Sequence, residues 1–435
     1  MYSNGILKLI LKSGPSTFFS LTTGIIVLFG SSTEVYGQNT KLKRNMNVSI
    51  PDNIRKDTSK VSTLYGKDIN EVIITSRRKE DNLTNTTMGL QKLTNVEIQK
   101  IPALMGEIDV IKAMQLLPGV QSTSEGSSGF NVRGGAADQN LILLDNSNVY
   151  NASHMFDFFS IFNNDAVKNA ELYKGNLPIK YGGRLSSLLN VELKDDSPRK
   201  VTGTGGIGLI SSRLTMEGPL GDKTSWLVSG RRSYADLFLR MSSDPEKRKE
   251  YLYFYDFNAK MTHRFSEKDK VGFNAYAGRD RFISSFGNIS YGNVLASVFW
   301  NHLFSENLLS RLSLNYTKYS YDLEWKVTGS HAEWKSDIQD MDLRLDFTHT
   351  LSDKLNLQYG ATTTYHIFNP ALILRTGYPD FRMNRSYALE HTLYLGVEQN
   401  LSKAFSLTYG ARITAFRNVG KALLYSYDQN YDVSG

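Results

Sequence analysis

Residues 340–348 read DMDLRLDFT, and this stretch decides the fold of the second half of the chain. Apolar and polar residues alternate in it without a break, which places Met341, Leu343, Leu345 and Phe347 on one face. A strict period of two is the pattern of a β-strand whose two faces meet different surroundings. The stretch therefore predicts a strand that lies between an apolar phase and a polar one.

The same alternation recurs through residues 201–435, where about ten strands are predicted. Several run for 12 to 16 residues, whereas strands in soluble proteins average about five or six. Short polar turns, such as 221–223 and 352–354, separate them from longer predicted loops at 236–250, 283–292, 327–336 and 371–386. Short turns on one side and long loops on the other are typical of transmembrane antiparallel β-barrels. The alternative is a soluble β-sandwich or propeller with one face in its core.

Residues 88–195, upstream of these strands, have the mixed pattern of an α+β domain. Glu107–Leu116 is compatible with a helix, which Pro118-Gly119 would end. Phe130–Val132, Leu141–Leu144 and Leu188–Leu193 read as strands between glycine-rich turns. The fold class predicted for the chain is therefore an α+β domain followed by a partial barrel of about ten strands.

Residues 130–194 closely resemble the plug domain of TonB-dependent outer-membrane receptors, in the form found in the Bacteroidetes. The resemblance is carried by ordered motifs at matching separations: Leu117-Pro118-Gly119-Val120, Arg133-Gly134-Gly135, Leu143-Leu144-Asp145, Tyr173-Lys174-Gly175 and Tyr181-Gly182-Gly183-Arg184. It implies a plugged barrel in the cell outer membrane, surrounded by lipid and needing no cofactor. Such a receptor binds a scarce extracellular solute, for example a siderophore, a cofactor or an oligomeric nutrient. TonB, energised by its inner-membrane complex, then drives import.

The family also carries a short TonB box before the plug, and Asn70-Glu71-Val72-Ile73-Ile74-Thr75-Ser76 resembles one. It lies in a predicted periplasmic tail at residues 38–87. An extended segment can bind by adding a strand to the sheet edge of its partner. The alternative is a β-prone stretch that arose by chance. An outer-membrane adhesin or a passive pore would need neither a box nor a mobile plug, so the transporter hypothesis depends on residues 70–76.

Residues 1–37 have the features of an export signal. Lys8 and Lys12 precede the apolar stretch Thr17–Gly30, and Val35-Tyr36-Gly37 supplies small residues for a cleavage site. A membrane anchor is the alternative, but this stretch is shorter than the roughly 20 residues that a membrane-spanning helix needs. Export followed by β-strand insertion is the expected route.

Composition excludes several other classes of function. The chain has no cysteine and a net charge of +7, and residues 38–80 alone contain ten positive and five negative side chains. The rest is nearly neutral, which argues against nucleic acid as a partner. The seven histidines are never closer than 17 residues apart, so the closely spaced pair of a helical metal motif is missing. We expect no enzyme activity and no metal site.

Two further expectations concern how the plug is housed. Barrels that enclose a plug have about 22 strands, so about ten strands predict a truncated receptor that lacks the second half of its barrel. We also expect an open, curved half-barrel around the plug. Arg133 and Arg184 are expected to pair with acidic residues of the barrel such as Asp342 or Asp346, the alternative being local turn contacts.

Overall fold

The structure is a computed structural model that describes residues 89–103, 106–195, 200–327, 330–377, 379–402 and 405–420. All of these belong to one unit that starts at residue 66. The predicted signal peptide (1–37), tail (38–87) and TonB box (70–76) lie outside the described residues. Across the described ranges, no helix is long and apolar enough to cross a membrane.

Residues 90–193 form an α+β domain, called the plug below. Its elements are β1 (Leu90–Thr94), α1 (Asn95–Ile98), α2 (Val110–Gln115), β2 (Val120–Ser122), β3 (Phe130–Val132), a 3-10 helix (Ala137–Gln139), β4 (Asn140–Leu144), β5 (Ser147–Asn148), β6 (Ser153–His154), β7 (Phe159–Ser160), β8 (Val167–Lys174) and β9 (Ser187–Leu193). The main sheet has the order β1-β8-β9-β4-β5, and β2-β3 and β6-β7 are separate hairpins. Strands β4 and β9 are parallel, whereas the other neighbours are antiparallel.

The predicted helix at 107–116 is present but shorter, because Asp109 caps it. The Asp109 carboxylate accepts the backbone amides of Ile111 and Lys112 at 2.8 and 3.0 Å. An acidic N-cap satisfies amides that have no partner inside the helix. Val110 and Met114 of α2 are fully buried in the plug core, so capping and packing together fix this short helix.

Residues 202–419 form a long antiparallel sheet, called the wall below. Its elements are β10 (Thr202–Ile207), β11 (Ser211–Pro219), β12 (Thr224–Ser233), α3 (Asp236–Arg240), a 3-10 helix (Lys247–Lys249), β13 (Tyr251–Arg264), β14 (Asp269–Ser284), β15 (Gly287–Ser305), β16 (Leu308–Val327), β17 (Ser330–Ser352), β18 (Leu355–Arg375), β19 (Phe381–Arg382), β20 (Ser386–Asn400) and β21 (Ser406–Val419). Each strand pairs with the next, except that β18 pairs with both β19 and β20. In the described part of the chain the wall has twelve strands, against about ten predicted, and β10 and β21 are its two ends.

The wall is polar on the side that faces the plug and apolar on the other side. On β17, Asp340 and Asp342 are buried, while Met341 and Leu343, which alternate with them, are about half exposed. The apolar face continues over neighbouring strands, for example Phe273 on β14 and Leu314 on β16. This is the reverse of a soluble sheet, which buries its apolar face.

Two of the predicted loops are strands in the structure. β14 continues to Ser284 and β15 begins at Gly287, so the loop predicted at 283–292 is a tight hairpin. Similarly, β16 ends at Val327 and β17 begins at Ser330, within the loop predicted at 327–336. Backbone hydrogen bonds to the neighbouring strand continue where the side-chain alternation weakens. The strands predicted from that alternation are therefore shorter than the strands in the structure. The loop predicted at 371–386 contains the end of β18 and the short β19, and the segment 236–250 remains a connection with two short helices.

Candidate functional site

The plug lies against the polar side of the wall, and this contact is the candidate functional site. Among the described residues the main apolar core belongs to the plug, with Leu227, Tyr276 and Leu295 of the wall joining it. A second, smaller apolar cluster brings Phe159 of the plug against Ile210 and Phe254 of the wall. Hydrogen bonds and ion pairs add to these apolar contacts. Since these groups are hydrated when separated, a polar contact between two bodies can be opened at lower cost than an apolar core.

The predicted motifs at 133–135 and 173–175 meet at one end of the plug. Arg133 and Gly134 have φ values of 50° and 81°, so a left-handed turn follows β3. A Cβ at Gly175 would lie 3.2 Å from the Arg133 guanidinium, so glycine leaves room for the arginine. The ammonium of Lys174 donates to the carbonyl of Pro118 at 2.9 Å. Burial lowers the pKa of Lys174, and the nearby Arg133 charge lowers it further.

Asp145, predicted at the end of β4, connects the plug to the wall. It is buried with a φ of 47°, and its Oδ1 accepts Lys260 Nζ of β13 at 3.0 Å. The same carboxylate accepts the backbone amide of Leu193 at 3.2 Å, and Lys260 donates to the Leu193 carbonyl at 2.8 Å. Burial raises the pKa of Asp145, while the Lys260 charge acts against this rise.

Asp195, just after β9, extends this contact. Its carboxylate lies 2.9 Å from Lys168 Nζ of the plug and 3.1 Å from Lys270 Nζ of the wall. Burial opposes the charge of Asp195, but Lys260, Lys270 and Lys168 outweigh it and hold the pKa of Asp195 below its usual range. We call Asp145, Asp195, Lys168, Lys260 and Lys270 the Lys260 cluster.

Tyr173 and Tyr181, from two predicted motifs, pack in one small apolar cluster. Leu143 and Leu188 form its buried centre together with Tyr181, and Tyr173 packs against it. The Tyr181 hydroxyl donates to Asn146 Oδ1 at 2.7 Å, which ties the end of the plug to the turn that follows Asp145.

The motif at 182–184 lies next to the last wall strand. A Cβ at Gly182 would lie 2.7 Å from Arg412 Nε of β21, so glycine permits this close approach. Arg412 Nη1 donates to the Lys180 carbonyl at 2.8 Å. Gly183 has a φ of 79°, and the Arg184 side chain is exposed.

The expected ion pairs of Arg133 and Arg184 with Asp342 and Asp346 are not present among the described residues. Asp342 instead pairs with Arg344 of its own strand at 2.8 Å, and Asp346 accepts a hydrogen bond from Tyr394. Asp342 is thus neutralised within the wall, because residues two apart on a strand share one face. Arg133 makes the local turn contacts that were the alternative.

Sequence reasoning missed a buried charged group at the β6–β7 hairpin. His154 Nδ1 lies 2.6 Å from Asp280 of β14, and its Nε2 lies 3.3 Å from Asp256 of β13. Arg231 of β12 binds Asp256 through Nε and Nη2 at 2.8 and 2.7 Å, and lies 3.9 Å from Glu107 of the plug. We call these five residues the His154 cluster.

The His154 ring is held on its faces as well as at its nitrogens. It stacks on Phe254 with ring centres 4.2 Å apart and planes at 6°. Its side chain is only 2% exposed. Burial acts against the charged imidazolium, but Asp280 and Asp256 outweigh burial and raise the pKa of His154 above its usual value. The two aspartates therefore favour the charged form of His154.

The loop that follows His154 has an unusual backbone. Met155, Phe156 and Asp157 have φ values of 51°, 55° and 72°, three consecutive left-handed residues without a glycine. Each costs roughly 1–2 kcal/mol for an L-residue. The Met155 amide donates to Asp280 Oδ1 and the Phe156 amide donates to the Tyr291 hydroxyl, both at 2.7 Å. Hydrogen bonds to the wall therefore hold a conformation that the loop alone would not favour.

The His154 cluster had a weak signal in the sequence. Arg231, Asp256 and Asp280 each occupy a polar position of an alternating wall strand, where a charge stands out among Ser, Asn and Thr. Nothing in the sequence pairs these positions with His154, since their separations reach 126 residues. The described residues contain no group of three or more His, Asp or Glu with the geometry of a metal site.

Comparisons with known proteins agree with this architecture. Residues 85–187 match the family model described as TonB-dependent Receptor Plug Domain. No curated protein matches the chain significantly.

Solved structures give the same fold. A mutant of the ferric enterobactin receptor PfeA from Pseudomonas aeruginosa is 16% identical, with a TM-score of 0.59 over 78% of this chain and 59% of that chain. The siderophore receptor PirA from Acinetobacter baumannii is 13% identical, with a TM-score of 0.58 over 77% and 58% of the two chains. The ferric citrate transporter FecA is 12% identical, with a TM-score of 0.59 over 78% and 58%. This chain thus spans less than two thirds of the length of these structures, and the Bacteroidetes form stays a prediction.

Proposed function

We propose that this chain, which belongs to the TonB-dependent receptors through the plug domain at residues 85–187, is an outer-membrane receptor that imports a scarce extracellular solute with energy supplied through TonB. A siderophore, a cofactor and an oligomeric nutrient remain the candidate solutes. Of the proteins that share its fold, PfeA is named as a ferric enterobactin receptor, PirA as a siderophore receptor and FecA as a ferric citrate transporter. These names favour an iron complex among the candidates.

The observation that carries the proposal is the reversed polarity of the wall. Its apolar side chains, such as Leu343 at 51% exposure and Leu393 at 63%, point away from the plug. A continuous apolar face of this extent is unfavourable in water and favourable against lipid tails. Outer-membrane lipid is therefore the expected surroundings of this face.

The polar contacts between the plug and the wall favour a transporter over a static pore. The Lys260 cluster and the His154 cluster join plug and wall mainly through charged groups and hydrogen bonds. Water can replace such contacts when a plug moves. A plug that only closed a pore permanently would gain more from an apolar contact.

The proposed TonB-binding segment, Asn70–Ser76, lies outside the described residues. Its proposed function rests on the sequence: an extended β-prone segment would add to a sheet edge of TonB through backbone hydrogen bonds. Proline removes a backbone donor and fixes φ, so a proline within the segment should prevent this pairing.

The experiment measures binding of the purified periplasmic domain of TonB to the full chain in detergent. We expect Val72→Pro to reduce this binding at least tenfold, about 1.4 kcal/mol, whereas Val61→Pro, a matched change elsewhere in the tail, leaves it unaltered. Equal binding by both variants would contradict the assignment of residues 70–76. Absence of TonB binding in the unaltered protein would favour an adhesin or a passive pore.

A further inference from the structure

We propose that protonated His154 is a latch that holds the plug loop Ser153–Ser160 to wall strands β13 and β14, and that loss of this proton releases the loop while the rest of the plug stays in place. The inference goes beyond the proposed function, because it concerns the plug and wall alone. It holds or fails whether or not TonB binds.

The first argument is the balance of buried charge. Glu107, Asp256 and Asp280 supply three carboxylates to the His154 cluster. Arg231 lies against Glu107 and Asp256, and Arg213 lies 3.8 Å from Glu107, so the permanent cations compensate these two acids. Among the described residues, His154 is the cation paired with Asp280. Neutral histidine would therefore leave the buried Asp280 carboxylate without a counter-charge, which is costly in a site closed to water.

The other groups around the loop do not replace this charge. Tyr276 faces His154 Nε2 at 3.3 Å as a neutral hydroxyl, and Asp109 accepts the Ser160 amide, which adds another acid. Asp157 accepts a hydrogen bond from Ser153 within the loop. Lys112 lies over the Phe158 ring with 4.8 Å from Nζ to the ring centre. Arg213 lies between Asp165 at 2.7 Å and Glu107 at 3.8 Å, and it pairs with these two acids rather than with Asp280.

The second argument is that His154 and the strained loop share one anchor. Asp280 accepts His154 Nδ1–H through Oδ2 and the Met155 amide through Oδ1. The three left-handed residues that follow have a more favourable backbone available once these bonds break. Loss of the imidazolium charge therefore weakens the Asp280 anchor that opposes relaxation of the loop.

The third argument is that the Lys260 cluster attaches the plug to the wall without a histidine. Asp145 pairs with Lys260 at 3.0 Å and Asp195 with Lys270 at 3.1 Å, so these ion pairs do not depend on the proton of His154. The opening is thus confined to the loop. The plug remains attached to the wall at its other end.

The direction of the pH effect follows from linkage. The pKa of His154 is raised in the closed state by its aspartates, against the ordinary value of 6.5 in the open, hydrated state. The stabilisation of the closed loop by protonated His154 is complete below pH 6.5. It is lost as the pH rises through the pKa that His154 has in the closed state. Between these two values the opening equilibrium increases about tenfold per pH unit, since opening releases one proton.

The chain has no cysteine, so one introduced thiol can report the opening of the loop. Ala152→Cys places a thiol at a buried position beside the latch, and Ala166→Cys places one at a buried position of the plug core. Alkylation rates of the two full-chain variants are measured in detergent between pH 5.5 and 9 (roughly one unit below to about 2.5 above the ordinary histidine value). The reported quantity is the alkylation rate of Ala152→Cys divided by that of Ala166→Cys. This division removes the pH dependence that comes from ionisation of the thiol itself.

We expect this ratio to be constant below about pH 6.5 and then to rise about tenfold per unit. With His154→Gln added, the ratio should be high and independent of pH. With His154→Gln and Asp280→Asn together it should be low and independent of pH, because the unpaired carboxylate is gone. Asp280→Asn alone keeps the histidine and should shift the rise to lower pH.

The proposal is wrong if the ratio does not change with pH in the protein with His154, or if the rise persists in His154→Gln. It is equally wrong if the Ala166→Cys thiol opens in parallel, since that would mean release of the whole plug. If His154→Gln does not fold, the Asp280→Asn variant decides alone: an unchanged midpoint overturns the latch.

Discussion

Lys260 reaches from wall strand β13 into the plug and binds two acceptors there, the Asp145 carboxylate and the Leu193 carbonyl. Both partners are buried, so neither can turn to water if the ammonium is lost. A buried carboxylate that loses its cation typically costs about 3–5 kcal/mol. Lys260 is therefore expected to contribute strongly to the stability of the contact between the plug and the wall.

We predict that Lys260→Met lowers the free energy of unfolding by about 3–5 kcal/mol, measured by urea titration in detergent micelles. Adding Asp145→Asn should restore part of this loss, because it removes the unpaired charge. Lys223→Met, at an exposed turn position, serves as the control and should change stability by less than about 0.5 kcal/mol. A loss of similar size in the control would contradict the assigned pairing.

At this scale the sequence predicted single residues better than their partners. Asp145 was predicted at the end of a strand and directly follows β4 in the structure, but its partner Lys260 is 115 positions away and gave no local signal. Arg133 was expected to reach the wall and instead lies over Gly175 within the plug. Which charges meet depends on how the plug is oriented on the wall, and this orientation is set by many contacts together.

The alternating strand β17 shows how the wall separates the plug on one side from an apolar environment on the other. The side of β17 that bears Asp340 and Asp342 faces the plug, where Tyr150 donates to Asp340 and Asn315 donates to Asp342. The other side carries Leu343 and its apolar neighbours, which no described plug residue covers. In a soluble sandwich the burial of these two sides would be exchanged.

We predict that Leu343→Arg destabilises the protein in lipid vesicles by about 2–4 kcal/mol, because a charge on the lipid-facing side of a strand is poorly solvated. The measurement is the urea midpoint of unfolding from vesicles. Asn307→Arg introduces the same side chain at an exposed turn and should shift stability by less than about 0.5 kcal/mol. Equal tolerance of both changes would indicate that Leu343 faces water.

The positions of strand ends were the least accurate part of the secondary-structure prediction. The segment 283–292 was expected to be a loop, since Asn288, Ser290 and Gly292 break the alternation there. In the structure Asn288 pairs with Ile283, and Ser290 pairs with Arg281, in a continuous ladder. Backbone hydrogen bonding to a partner strand does not require an apolar face, so polar residues can extend a strand beyond the apolar band.

The whole molecule combines a plug with an apolar core and a wall whose apolar side is turned outwards. Placing the plug in lipid would bury its charged groups in an apolar phase. Placing the wall in water would expose its apolar side. The arrangement predicts where the protein resides in a cell. It also separates the receptor hypothesis from the soluble sandwich, which would place apolar side chains of its strands inside.

We predict that the full chain sediments with outer membranes and enters solution only with detergent, because the apolar face of the wall would otherwise meet water. Cell fractionation followed by immunodetection measures this, with a soluble periplasmic protein as the reference for leakage. Folded chain in the detergent-free periplasmic fraction would instead support a soluble sandwich.

The sequence by itself determined the alternating strands, a helix within residues 107–116, and the glycine-rich turns, because each depends on residues close together in the chain. It also identified the plug through ordered local motifs. Only the tertiary structure decided that His154 meets Asp256 and Asp280, that Lys260 meets Asp145, and that the polar side of the wall faces the plug. These contacts join positions more than 100 residues apart, and their geometry depends on the register of whole strands, to which no local pattern gives access.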